Sequence, residues 1–357
     1  MPTACLNQPN LRVHLKGDRL EVYGCEDTNE HEKLLREIPL RDLERLIISE
    51  SVHFTTPALA AVLQREIPIQ VFSWSGKYLG GFLPAQNHHG LSRLQQYRHT
   101  LDPAFSLQMA GRIIVAKLYN QRRVLQRLAA SHGEQETAAP SPVSPPADAA
   151  AAPAPLNIAQ TLVWLDSLFA SIRVSKTIDE IRGYEGASTA RYFQAWGTFL
   201  PPLFPFERRS TRPPLNPVNA CISFGSTILY NEMVAFIHAH GLDAALGLLH
   251  STENGRWSLA LDLIEPFRPI LVEALALDLF SHQILKATHF EKRNGGIYLN
   301  EEGRGKFFLQ YERRMERQFL SESVGHRTTI RQQLENQAVQ FKAALENPER
   351  FEPFLMN

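Results

Sequence analysis

Residues 259–269, LALDLIEPFRP, set two carboxylates, Asp262 and Glu265, among Leu259, Leu261, Leu263, Ile264 and Phe267. Three apart on a helix, the acids share one side, with Cβ atoms roughly 5 to 6 Å apart. Carboxylates buried that close repel each other unless one is protonated or a cation sits between them. Pro266 and Pro269 lack an N–H and release carbonyls of the preceding turn, so the pair is expected at a helix irregularity. A simpler alternative pairs Glu265 with Arg268 and leaves Asp262 in water. Two more polar residues bear on the choice. His250 stands twelve residues before Asp262, at the expected end of a helix and ahead of a turn at Asn254-Gly255. Glu185 lies between Gly183 and Gly186 in IRGYEGASTARYF, at the expected start of a helical run. Glycines beside an acid suggest close backbone approach or a tight turn; a glutamate interacting with a helix dipole explains the placement equally well. Carboxylate oxygens and one imidazole are donors suited to Mg²⁺ or Mn²⁺.

Basic residues are clustered. The segment from Pro103 to Gly133 repeats Ile113, Ile114, Leu118, Leu125 and Leu128 at the spacing of one helix face. It also carries Arg112, Lys117, Arg122, Arg123 and Arg127 and no acid, which suits either a solvated face or a lining for a polyanion. FERRSTRPP puts Arg208, Arg209 and Arg212 on a proline-flanked loop, where guanidinium groups can grip phosphates in pairs of hydrogen bonds.

These residues need elements to hold them. The first eighty or so residues suggest a β-rich unit. LRVHLKGDRLEVYG is a hairpin turning at Gly17-Asp18, RLIISES a strand, and TPALAAVLQREIP one helix capped at Thr55 or Thr56; IQVFSWSGKYLGGFLP is a second hairpin turning at Ser75-Gly76. From about residue 90 the period is helical and stays so to a basic last helix over about 327–345, with Gly241 as one stop signal. Residues 133–156, Ala/Pro/Ser-rich and without an aromatic, are expected to be a flexible linker. The fold class is therefore α+β multidomain, a β-rich domain at 1–88 followed by a larger all-α domain at 89–357.

Composition narrows the function. The 37 basic and 37 acidic residues balance, so any polyanion must be held by local patches. Three cysteines without CxxC spacing suggest neither a disulfide framework nor a zinc site. No secretory signal and no membrane-length apolar run is evident, so a soluble cytoplasmic protein is expected.

In this order, the segments LKGDRLEV, TPALAAVLQREIPIQVFSWSGKYLGGF, GYEGASTARYF, FERRSTRPPLNPVNACISFG, GLDAALGLLH, LALDLIEPFRP and GGIYLNEEGRGKFFLQYE resemble the CRISPR-associated spacer-acquisition integrases, the Cas-one family. The resemblance covers nearly the whole chain. It implies a β-sandwich-like amino-terminal domain that forms homodimers, an all-helical catalytic domain, and a Cas-two dimer as partner. It further implies a metal-dependent DNA endonuclease and integrase that joins the 3′-hydroxyl ends of captured DNA to a CRISPR repeat by transesterification. Carried over by position, the family's metal-binding glutamate falls on Glu185, its histidine on His250 and its last acidic ligand on Glu265, with Asp262 as the neighbouring acid. Glu265 stands where some members have aspartate, Ser226 follows SFG where many have tyrosine, and the 133–156 stretch is longer than the usual connection. An inert DNA-binding scaffold and a helical Mg²⁺ enzyme acting on a diphosphate are the rival readings.

Overall fold

The computed structural model describes residues 3–6, 8–25, 32–73, 77–85, 89–136, 158–321 and 325–356. The amino-terminal part has two four-stranded sheets. One is β1 (Thr3–Leu6), β5 (Arg45–Ser49), β7 (Ile69–Phe72) and β8 (Tyr78–Phe82) in that spatial order, parallel except for β8. The other is β4 (Glu32–Pro39), β3 (Arg19–Cys25), β2 (Arg12–Lys16) and β6 (His53–Phe54). The hairpin at Gly17-Asp18 forms as expected, because Gly17 takes φ +58°, which a two-residue turn asks for and glycine adopts without strain. The turn expected at Ser75-Gly76 lies outside the described residues. Strand β4 escaped the sequence reading because Leu34 and Leu35 both face solvent on a sheet edge, so no alternation marks it. Helix α1 (Thr56–Gln64) closes a core of Leu20, Val13, Leu46, Val62 and Ile69.

The rest is mainly helical with a separate core, and two short hairpins within it correct the expectation of an all-α domain. Its helices are α2 (Gly90–Thr100), α3 (Pro103–Glu136), α4 (Ile158–Arg173), α5 (Ile178–Gly197), α6 (Pro217–Ala239), α7 (Ser258–Ile264), α8 (Ala274–Ser281), α9 (Glu301–Glu316) and α10 (Ile330–Ala344). A hairpin, β9 (Phe290–Arg293) with β10 (Gly296–Leu299), precedes α9, and β11 (Phe319–Leu320) pairs with β12 (Arg327–Thr328) before α10. Helix α3 runs through 133–136, so the expected linker starts later than residue 133; the remainder of that stretch lies outside the described residues. Helix α6 is long and apolar enough to cross a membrane, but 72% of its apolar window is buried inside the protein, so its composition answers to the core it forms. The sequence reading, which saw no such run, missed it.

The two parts meet across charged and aromatic contacts. Arg45 on β5 is buried, pairs with Glu335 on α10 and lies 4.2 Å over the ring centroid of Phe236. His240 sits 3.1 Å from the same carboxylate. Burial alone would raise the Glu335 pKa, but the His240 hydrogen bond and the Arg45 charge outweigh it and hold the carboxyl at about 2. A depressed carboxyl contributes stability that is present above its ordinary value near 4.5 and is lost as pH falls toward 2. Glu335→Gln should therefore cost roughly 1 to 2 kcal/mol at neutral pH after allowing for solvent screening. The gap in melting temperature from the parent should narrow as pH falls from about 4.5 toward 2, and a gap independent of pH would show that the pair does not tie the two parts together.

Candidate active site

The helix irregularity expected at Glu265 is present. Helix α7 stops at Ile264, residues 265–267 turn more tightly, and residues 268–273 form a π-helical turn before α8 begins. The prolines account for this: Glu265 N–H bonds the Asp262 carbonyl at 3.3 Å and Phe267 N–H the Ile264 carbonyl at 2.9 Å, both three residues back instead of four. Asp262 is completely buried and does not point to water. Its carboxylate accepts the N–H groups of Leu248 (2.6 Å), Leu249 (3.1 Å) and His250 (3.0 Å), and meets His250 Nδ1 at 2.5 Å. A carboxylate with four donors is saturated, so Asp262 fixes the loop and the imidazole and is not itself a ligand in waiting.

That loop, 242–257, corrects the helix expected to end at His250. Three consecutive amides converge on one carboxylate, and Gly247 approaches so closely that an added Cβ would lie 2.0 Å from the His250 carbonyl oxygen. Arg182 on α5 binds the Leu249 carbonyl through Nε at 2.8 Å and Nη2 at 2.6 Å, tying the loop to the helix that carries Glu185. His250 is half-buried; burial lowers its pKa, but the hydrogen bond and charge of Asp262 more than reverse this, and the net shift is upward.

Glu185 lies in the second turn of α5 and not at its start, since Thr177 is the N-cap and accepts the Glu180 N–H at 3.2 Å. Gly183 and Gly186 are exposed, and a Cβ on either would meet nothing within 4 Å, so neither makes a tight turn or an internal close approach. Glu185 Oε1 accepts from Thr189 Oγ1 at 2.9 Å and from Lys117 Nζ at 2.5 Å. The same ammonium is 2.6 Å from Glu265 Oε2, and Arg268 Nη1 is 2.9 Å from Glu265 Oε1. Two carboxylates 80 residues apart in sequence thus share one cation, Lys117, which is only 2% exposed. Burial raises the Glu265 pKa, yet Arg268 and Lys117 outweigh it and bring it to about 2. Burial lowers that of Lys117, yet Glu265 and Glu185 reverse the effect and the net shift is upward.

The chain's own cation satisfies the charge condition that the sequence raised. Glu265 Oε2, buried, lies beside the ammonium without a well-aligned hydrogen bond, and carboxylate oxygens with an imidazole are donors of the kind Mg²⁺ or Mn²⁺ takes. Among the described residues, no three His, Cys, Asp or Glu side chains form a ready cage for an ion while Lys117 stands between two of them. The donors suit a divalent ion in kind, and Lys117 holds the place of its charge. Glu273, also buried, has its pKa raised by burial and borders the same cluster. Lys117, Arg182 and Glu273 went unassigned to the site in the sequence. The spacing of Lys117, Asn120 and Gln121 on an otherwise apolar helix face was the available signal for the first.

The expected DNA-binding residues scatter. Lys117 is interior and cannot line a surface. Arg112 is taken by Glu349 and the Phe351 carbonyl, and Arg122 by Asp166. Arg209 braces its own loop, donating to Asn219 Oδ1 at 2.8 Å and Ser223 Oγ at 3.1 Å; burial and then the charge of Arg268 lower its pKa to about 10. Arg208 and Arg212 are exposed and form no ion pair among the described residues. Arg123 bonds Gln126 at 3.3 Å, and exposed Arg127 borders a cavity of about 730 Å³ that Arg313, Arg314 and Arg317 also line.

The family described as CRISPR associated protein Cas1 matches residues 5–313. The chain belongs to the Cas1 family. It is 30% identical over 89% of its length to a CRISPR-associated endonuclease Cas1 of Thermodesulfovibrio yellowstonii, 92% of which is covered. It is also 30% identical, over 93% of its length, to a Cas4 exonuclease/Cas1 endonuclease fusion of Geobacter sulfurreducens, spanning 56% of the fusion. Among solved structures, the Cas1 fold is matched by a partial Cas6-RT-Cas1–Cas2 complex (TM-score 0.74, 26% identity, 100% of this chain and 98% of that chain). A Cas1 protein from Thermotoga maritima shares the fold at TM-score 0.68 and 22% identity, covering 97% of each chain. The β-rich amino-terminal part and the larger helical part are those of Cas1 structures.

Replacing Asp262 by Ala leaves three amides and an imidazole without their acceptor in the interior. The change should destabilise the protein by about 3 kcal/mol or more in urea unfolding. A loss under about 1 kcal/mol would mean that the 242–257 loop is held by other contacts.

Proposed function

We propose that this Cas1 chain is a metal-dependent DNA endonuclease and integrase of CRISPR adaptation, joining the 3′-hydroxyl ends of captured DNA to a CRISPR repeat. The observation that carries the reading is the convergence of Glu185 and Glu265 on one buried cation, next to a histidine locked in place by Asp262. In the reaction a 3′-oxygen of the captured strand bonds to phosphorus while the bond from phosphorus to the repeat strand's own 3′-oxygen breaks. The attacking hydroxyl loses a proton and the departing oxygen gains one.

Glu185, His250 and Glu265 would hold Mg²⁺ or Mn²⁺, which supplies charge neutralisation at the reacting phosphate. Asp262, accepting from Nδ1–H, leaves Nε2 of His250 without a hydrogen bond among the described residues and therefore available as a donor atom. Arg268 and Lys117 hold the Glu265 carboxyl well below its ordinary range, in the ionised state in which a carboxylate binds a cation, and Lys117 pairs with Glu185 as well. Exposed Gly183 and Gly186 leave a bare strip of α5 beside Glu185, where a polymer backbone can lie close.

For the DNA itself, exposed Arg208 and Arg212 remain, together with the arginine-lined cavity. Arg127 holds its proton less tightly than usual, first through partial burial and then through Arg123 and Arg317. Among the described residues, the one acid that borders this cavity is Asp278, and it is engaged by Arg314. Like charges gathered in this way favour a polyanion, and phosphodiester is the one the reaction supplies. Homodimers through the β-rich part and a Cas2 partner belong to the same proposal, the latter supported by the complex in which the related structure was solved.

The test is a labelled branched DNA mimicking a half-integrated repeat, incubated with Mn²⁺ and either the parent or His250→Ala. Strand resolution by the parent, lowered at least 100-fold in the variant, is expected; equal activity in both would displace the metal site, and inactivity in both would favour an inert scaffold. Neutralising Arg127, Arg313 and Arg317 together should weaken DNA binding irrespective of sequence and reduce the salt slope by about 2 to 3. An unchanged slope would remove that cavity from the footprint.

A further inference from the structure

The broken helix at Glu265 leaves two carbonyls without their usual partners, and both are claimed by buried carboxamides. Leu263 O loses the Phe267 N–H to the tighter turn and is bound by Gln337 Nε2 at 2.8 Å. Pro266 O is bound by Asn120 Nδ2 at 2.7 Å. Each carboxamide then reaches the same extended segment, 351–356. Gln337 Oε1 accepts the Phe354 N–H at 2.9 Å; Asn120 Nδ2 donates to Phe354 O at 2.9 Å, and Asn120 Oδ1 accepts the Met356 N–H at 2.7 Å. The Phe354 ring stacks on Phe267 with centroids 5.0 Å apart and planes 10° from parallel. Leu263 and Pro266 bracket Glu265, so the segment closes a ring of contacts around the residue.

We propose that Asn120, Gln337 and Phe354 are positioning residues, which fasten segment 351–356 to the helix break and so aim the Glu265 carboxylate. The inference rests on the reading of Glu265 as a metal ligand. Phe351 and Phe354 seat the segment in the core, and cavities of about 770 and 730 Å³ border Phe354 and Met356. The carboxamides and the Phe354 ring stack are what join it to the helix break. Asn120 and Gln337 are 0% and 2% exposed, and no atom of either carboxamide is left unpaired. Residues that bind the supports of a ligand change metal affinity and activity about 10- to 100-fold when lost, without touching the ion.

The experiment measures Mn²⁺ affinity by calorimetry and amide exchange over 262–270 in the whole chain, for the parent and for Phe354→Gly, Phe354→Tyr, Gln337→Met and Glu265→Ala. Phe354→Gly and Gln337→Met should weaken Mn²⁺ binding about tenfold or more and speed exchange across 262–270, with Phe354→Tyr restoring both. Strand transfer by the two weakened variants should lose kcat while KM for DNA stays within about twofold. Gln337→Met keeps the side-chain volume and decides the matter if Phe354→Gly does not fold. Unchanged affinity and exchange in Gln337→Met, with Glu265→Ala losing the metal, would overturn the positioning role alone. Metal affinity retained in Glu265→Ala would instead overturn the ligand assignment on which it rests.

Discussion

A charge inside a protein must be paired, and the helical part of this chain is arranged around one such pairing. Lys117 and Glu265 are buried and Glu185 and Arg268 half-buried, so two positive and two negative groups meet where either buried one alone would be expensive. Each comes from a different stretch of sequence or from the break in a helix, so α3, α5 and the α7–α8 region can assemble only in the register that brings them together. Apolar packing supplies the driving force for that assembly, through residues such as Trp196, Tyr192 and Phe236, but hydrophobic contacts alone tolerate slippage. The ion cluster does not. It selects one arrangement of helices, and that arrangement leaves the carboxylates collected where a more highly charged ion could replace the ammonium's electrostatic part.

Much of this was legible in the sequence, for reasons that can be named. Acids in an apolar run, followed by prolines, marked the break at Glu265, and the break is there. The alternative in which Arg268 neutralises Glu265 was half right: the ion pair exists, but Asp262 is wholly buried instead of facing water. GLDAALGLL has helical composition, and only the distant Asp262 carboxylate, by accepting three successive amides, makes a loop at His250 the cheaper path. Lys117 was grouped with its basic neighbours on α3 because a sequence shows charge and not depth. Its partners lie 68 and 148 residues away, and one strand of the amino-terminal part, β4, was lost because an exposed edge carries no alternation.

The resemblance carried by the sequence motifs and the family match agree on the family. Motifs spread over the chain resembled the spacer-acquisition integrases, and the Cas1 family match covers residues 5–313. The geometry adds what a motif cannot hold: Asp262 is the scaffold of its neighbours, and Arg182, absent from the sequence argument, clamps the histidine loop to the glutamate helix. Glu265 is held between two cations, Lys117 and Arg268, which fix the reach of its side chain.

Helix α3 has one further consequence. It is a single unbroken element of 34 residues, carrying Lys117 within the ion cluster and Arg127 at the border of the arginine-lined cavity. Ten residues at 1.5 Å each put the two about 15 Å apart along a rod that does not bend easily. The helix is therefore a ruler. The ion cluster and the arginine-lined cavity are held at a set separation by one continuous helix, which neither site can change without the other.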